Sequence, residues 1–169
     1  MNKSALNSIW DQTRQKYGVY LRLLEAIPED RLNDNIIPGM RTPVEVAAHT
    51  SSGIVRGFAQ GVARGEITND NPDADAVAKI KSRADLLAYA RQCWKDADAA
   101  VAKIGDKELA SMVKTPWNMS FPGGVAIHTM SDEFIHHRGQ LYAYARAAGG
   151  EPPFVWSHDQ NPAGFGPKA

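Results

Sequence analysis

A chain of 169 residues, 43% hydrophobic and 22% charged, holds enough apolar material for one buried core and fits a single domain over residues 1–169 better than two. Its 19 basic and 19 acidic side chains cancel, and the basic ones are scattered singly, which removes the electrostatic footprint of a nucleic-acid or anionic-membrane binder. One cysteine, Cys93, excludes an intramolecular disulfide and a cysteine-rich metal site, and no stretch approaches the ~20 apolar residues of a membrane span.

The N-terminus, MNKSALNSIWDQTR, turns polar too early for a signal peptide, so the expected address is the cytoplasm. The spacing of Leu6, Ile9, Trp10, Tyr17, Tyr20, Leu21 and Leu24 predicts a first helix from about Ser4 to Ala26, closed by Pro28. Ile36-Ile37-Pro38-Gly39 reads as a loop. In Thr42-Pro43-Val44-Glu45, Thr42 can cap free amides, Pro43 suits the first helical position and Glu45 completes a capping box. That second helix runs to about Arg64 and stops at Gly65, with Val44, Ala48, Ser51, Val55, Phe58 and Val62 on one face.

A short helical piece, Ala74 to Lys81, is compatible with the pattern that follows. Ser82 and Asp85 form another capping box, opening a third helix that runs to Gly105. Residues 106–122 are irregular, with room for a short hairpin. The fourth helix spans about Gly124 to Ala148, with the stripe Ile127, Met130, Phe134, Leu141, Tyr144 and Ala145, and ends at Gly149-Gly150. The tail is expected to lie against the bundle, because Phe154 and Trp156 are costly to leave in water, while Asn161 to Ala169 are expected to be loose. Four amphipathic helices with modest loops predict an all-α four-helix bundle.

Chemistry concentrates in Ser131-Asp132-Glu133-Phe134-Ile135-His136-His137-Arg138-Gly139-Gln140. Glu133 and His137 are four apart and share a face, and His137 lies at the edge of the apolar stripe. A carboxylate and an imidazole so placed can clasp one divalent ion from a single helix, with a third ligand from another. His49, alone among histidines on the second helix, is the candidate. Three protein ligands leave positions open for water or substrate, as catalytic centres require. The same pair on a surface helix is also read as a solvated ion pair of a few tenths of a kcal/mol. His136 and His128 read as surface or supporting groups, and His158 has no partner that spacing can name. No nucleophile elbow, phosphate-cradling loop or dinucleotide fingerprint is present, and Cys93 reads as a buried inert thiol.

These residues carry a resemblance. Met40-Arg41-Thr42-Pro43-Val44-Glu45-Val46-Ala47-Ala48-His49 resembles the start of the second helix of DinB/YfiT-like proteins. His136-His137-Arg138-Gly139-Gln140-Leu141, followed by Tyr144, Arg146 and Gly149, resembles that family's fourth helix, and the ending Pro152-Pro153-Phe154 with Asn161 is similar too. The resemblance implies a four-helix bundle with up-down-down-up connectivity, a homodimer, and a metal near one end. The family's usual three histidines would fall on His49, His137 and the position of Glu133, where this chain departs from the pattern. The related mycothiol-dependent maleylpyruvate isomerases are closer, with His, Glu and His as zinc ligands. An anionic ligand lowers the charge of the centre and makes its bound water less acidic, while still suiting zinc, nickel or iron.

The function so implied is that of a metal-dependent enzyme using a low-molecular-weight thiol, a transferase or isomerase acting on a small molecule, as in the bacillithiol-transferase type relatives. Zinc is the first choice of metal at His49, Glu133 and His137, and Arg138 is a candidate for pairing with an anionic substrate. A metal-dependent hydrolase, and a non-catalytic metal-binding or stress-response dimer, are the alternatives.

Overall fold

The computed structural model describes residues 1–68 and 72–168. Helix α1 is Lys3–Ala26, capped by the Asn2 side chain, which accepts from the amide of Ala5 at 2.9 Å. Helix α2 is continuous but changes its winding: Pro43–Ala48 is α, His49–Arg56 is a π-helix, and Gly57–Arg64 is α again. Then come the short α3 (Pro72–Lys79), α4 (Arg83–Ala102), and α5 (Asp106–Ala110). Strands β1 (Met112–Lys114) and β2 (Ser120–Pro122) pair antiparallel, the hairpin for which the sequence left room, and α6 is Gly123–Ala147.

Both expected capping boxes form. Glu45 N donates to Thr42 Oγ1 and Thr42 N to Glu45 Oε2 at 2.7 Å; Asp85 N donates to Ser82 Oγ at 3.1 Å and Ser82 N to Asp85 Oδ2 at 3.0 Å. Gly65 and Gly149 stop their helices in the left-handed region, each at φ 87°.

Side-chain contacts give the connectivity. Tyr17 Oη lies 3.2 Å from Ser51 Oγ and Tyr20 Oη donates to the carbonyl of Ala47, so α1 and α2 run in opposite directions. Lys3 reaches the Val101 carbonyl, Trp10 Nε1 donates to Asp98 and Tyr17 Oη to the Ala90 carbonyl, so α4 also opposes α1. Tyr144 Oη donates to the Arg41 carbonyl at one end of α6, while Gly123 lies against Val62 at the other. Helix α6 therefore opposes α2 and runs with α1, the up-down-down-up order.

The core holds an aromatic cluster among aliphatic side chains. Tyr17, Tyr20 and Phe134 are fully buried, and Trp10 stacks on Trp94 with ring centroids 4.6 Å apart. Cys93 is fully buried beside them on α4. The tail corrects one expectation: Phe154 and Trp156 are 69% and 63% exposed. Backbone and polar contacts anchor that segment instead, with Tyr142 Oη donating to the Pro153 carbonyl and Arg22 to the Ser157 carbonyl, both at 2.9 Å. The aromatic ring that does enter the core is Phe165, against Tyr17 and Trp94. Residues 161–166 are tied to α1: Asn161 Nδ2 donates to the Gln15 carbonyl, and Arg14 to the carbonyls of Gly164 and Gly166. Gly18 makes this approach possible, since a Cβ there would fall 2.5 Å from the Asn161 side chain.

Candidate metal centre

His49 begins the π-wound stretch of α2, followed by Thr50-Ser51-Ser52-Gly53, a run of poor helix formers. Their hydroxyls are buried and compete with the backbone ladder: Thr50 Oγ1 donates to the Val46 carbonyl at 2.7 Å and Ser52 Oγ to the Ala48 carbonyl at 2.9 Å. Ser51 instead faces the hydroxyls of Tyr17 and Tyr20. The wider turn is the kind of local departure that recurs at functional sites.

Opposite His49, α6 presents His137. The two imidazole centroids are 5.0 Å apart with planes at 87°. Glu133, one turn before, brings Oε2 to 3.6 Å from His137 Nε2. His137 Nδ1 lies 2.8 Å from Gln140 Oε1, and since a side-chain carbonyl only accepts, Nδ1 carries the hydrogen and Nε2 keeps a lone pair in the neutral ring. Burial lowers the His137 pKa from its ordinary value, outweighing the Gln140 hydrogen bond; the charges of His49 and His136 add to the lowering, and Glu133 opposes it least. The neutral form is therefore favoured, and the Glu133 contact is not an ion pair at neutral pH.

The result is an imidazole lone pair and a carboxylate oxygen facing each other with no hydrogen between them. Their 3.6 Å separation is long for a hydrogen bond. It is close to the roughly 3.4 Å expected between two ligands each about 2.1 Å from one tetrahedral ion. Two imidazoles and a carboxylate are a donor set that suits zinc, nickel or iron. Two pairwise approaches thus exist, His49 with His137 and His137 with Glu133. Among the described residues, however, no group of three or more His, Cys, Asp or Glu side chains is arranged to hold a metal ion.

The other candidates separate. His136 is exposed, its ring 4.9 Å from that of His137, and His128 is exposed near the start of α6. Arg138 is buried on α6, about 100° round the helix from His137, and its charge bears on Lys16 and His158. Sequence reasoning passed over Gln140 as a partner of His137; its position three residues on was the available signal.

Among solved structures, the fold is similar to a DinB-like protein from Bacillus cereus, with 19% identity and TM-score 0.72, covering 89% of this chain and 97% of that one. It is also similar to a DinB-like protein from Bacillus subtilis, with 19% identity and TM-score 0.67, covering 83% and 92%. The mycothiol-dependent maleylpyruvate isomerase shares 13% identity at TM-score 0.62, over 92% of this chain and 68% of that one. No curated protein matches the chain. The DinB superfamily matches residues 12–141, the greater part of the sequence, and the protein belongs to it.

Proposed function

We propose that this protein is a divalent-metal-dependent enzyme, a thiol-dependent transferase or isomerase acting on a small molecule, with His49, Glu133 and His137 as the protein ligands of one ion. The observation that carries the reading is the approach of the His49 and His137 rings to 5.0 Å from two different helices. The kinship with the mycothiol-dependent maleylpyruvate isomerase, a thiol-using enzyme by name, supports the thiol part. Zinc is the first choice and nickel or iron the alternatives. When bound, such an ion lowers the pKa of a coordinated thiol and supplies a nucleophile at neutral pH.

The chain's own residues have distinct tasks in this reading. His137 offers a neutral Nε2 because burial disfavours its charged form, and Gln140 holds the ring by its other nitrogen. Glu133 supplies negative charge at the rim: its side chain is 46% exposed against 14% for His137, so a small molecule would approach from the Glu133 side. We place the enzyme in the cytoplasm as a homodimer on the same family grounds; no helix among the described residues is long and apolar enough to cross a membrane.

A second reading, a non-catalytic family member, is favoured by the absence of a three-point donor cluster among the described residues. Metal analysis separates the two. The enzyme reading expects about one equivalent of zinc, nickel or iron in the purified full chain, lost in His49→Ala and His137→Ala. It also expects turnover of an electrophile that requires both the metal and an added low-molecular-weight thiol. Metal-free protein whose stability is unchanged by both substitutions would overturn it, and a loaded but inactive protein would leave the non-catalytic reading standing.

A further inference from the structure

The turn of α2 that carries His49 is held by hydroxyl groups. Three successive carbonyls just before His49 each accept one: Val46 from Thr50 Oγ1 at 2.7 Å, Ala47 from Tyr20 Oη at 2.9 Å, and Ala48 from Ser52 Oγ at 2.9 Å. Thr50 and Ser52 belong to α2 itself and move with it. Of these three donors Tyr20 alone stands on another helix, and it ties the turn to α1.

Tyr20 meets that turn at two points. Its single hydrogen goes to the Ala47 carbonyl, which leaves its oxygen to accept from Ser51 Oγ at 2.8 Å. Ala47 and Ser51 stand two residues before and two residues after His49, so one phenol spans the turn from behind. At 3.6 residues per turn, His49 lies about 200° round the helix from Ala47, on the side where His137 approaches. Tyr17 is just as buried, but it donates to the Ala90 carbonyl of α4 at 2.8 Å and stands 3.2 Å from Ser51 Oγ. Burial pushes both phenols well above their ordinary range, so each keeps the hydrogen it donates.

We infer that Tyr20 is a positioning residue of the candidate metal centre, its hydroxyl setting the turn that presents His49 to His137. This role presupposes the reading of His49 and His137 as ligands of one ion, and it gives their approach a cause. Ligand side chains must be held to within about 0.5 Å of their place. Hydroxyls that bond back to the preceding turn slightly loosen and bend a helix, so this stretch gains from a hold outside itself. Tyr20 supplies one, and its own ring is fixed by Tyr17 at 4.9 Å and by Phe134 at 5.8 Å between centroids. Phe134 follows Glu133 on α6, so the phenol that steadies His49 also packs against the helix bringing the other two ligands.

Tyr20→Phe and Tyr17→Phe in the full chain form a matched pair: each loses one buried hydroxyl and keeps its ring, so a general loss of stability is common to both. In the metal-free protein, the ring NMR signals of His49, assigned by their disappearance in His49→Ala, are expected to shift in Tyr20→Phe and to stay in place in Tyr17→Phe. Ser51→Ala removes the second point at which the Tyr20 hydroxyl meets the turn. It is expected to shift the His49 signals too, which keeps the test valid if Tyr20→Phe folds poorly. Zinc affinity, measured by competition with a chelating dye, is expected to fall about tenfold or more in Tyr20→Phe and to change little in Tyr17→Phe. His49 signals unmoved in Tyr20→Phe and Ser51→Ala, or moved equally by Tyr17→Phe, would overturn the inference. So would a zinc affinity unchanged in Tyr20→Phe or lowered equally in both tyrosine variants. A parent chain that takes up no zinc would overturn the metal reading instead, and the metal-free signals would still decide whether Tyr20 sets His49.

Discussion

The Nδ1 of His137 is committed to the Gln140 side-chain oxygen at 2.8 Å, which fixes both the ring's orientation and the nitrogen left with a lone pair. Partners of this kind tune ligating histidines, and losing one typically costs about 10- to 100-fold in metal affinity. On the proposed reading, Gln140→Leu is expected to weaken zinc binding by about that factor, measured by competition with a chelating dye, with the Tm of the metal-free protein little changed. Zinc held as tightly as by the unmodified chain would remove Gln140 from this role. Residue-scale legibility was uneven. The Glu133–His137 pair was visible because four residues along a helix is a fixed geometric relation. Arg138 was visible as a cation, but its burial was not: packing against other elements decides that and leaves no mark in the local spacing.

At the scale of elements, helix ends were the easiest features to read. Thr42 with Glu45, and Ser82 with Asp85, satisfy amides that any helix start leaves open, and these bonds are local in sequence. Thr42→Ala is expected to cost about 1 kcal/mol, read from the urea midpoint at unchanged slope, because the cap opens the helix that carries His49. A midpoint that does not move would mean that packing of Pro43 and Val44 alone fixes this start. The π-wound stretch His49–Arg56 was not legible. The regular set Val44, Ala48, Ser51, Val55, Phe58 and Val62 is indeed buried, but so are Thr50, Ser52 and Ile54, and burial on more than one face hides the extra residue per turn. Its local bonds, from Thr50 and Ser52 to the preceding turn, are joined by two tyrosines of another helix that meet Ser51, a contact no local spacing announces.

For the molecule as a whole, the bundle and its connectivity followed from four apolar stripes and a family likeness, whereas the docking of the tail did not. Phe154 and Trp156 looked like anchors on hydrophobicity alone, yet Phe165 takes the core position because Gly18 leaves room for the chain beside α1. Asp11 secures part of this arrangement. The Arg14 hydrogen bond, helped by Lys168 and Gln15 and opposed by burial, lowers its carboxyl to about 2. A depressed carboxyl stabilises the fold fully above its unfolded-chain value of about 3.9 and loses that contribution as pH falls through the folded value. The decline in Tm between pH 4 and pH 2 is therefore expected to be shallower in Asp11→Asn than in the parent chain; parallel declines would show that Asp11 has no part in it. The stacked Trp10 and Trp94 rings, at 4.6 Å and 9°, have an optical corollary. Two indoles so close, with nearly parallel planes, couple their electronic transitions, giving a near-ultraviolet circular dichroism signature that vanishes when α1 and α4 part. Trp117 and Trp156, exposed at the surface, contribute little to it, so the native chain carries its own gauge of whether its centre is intact.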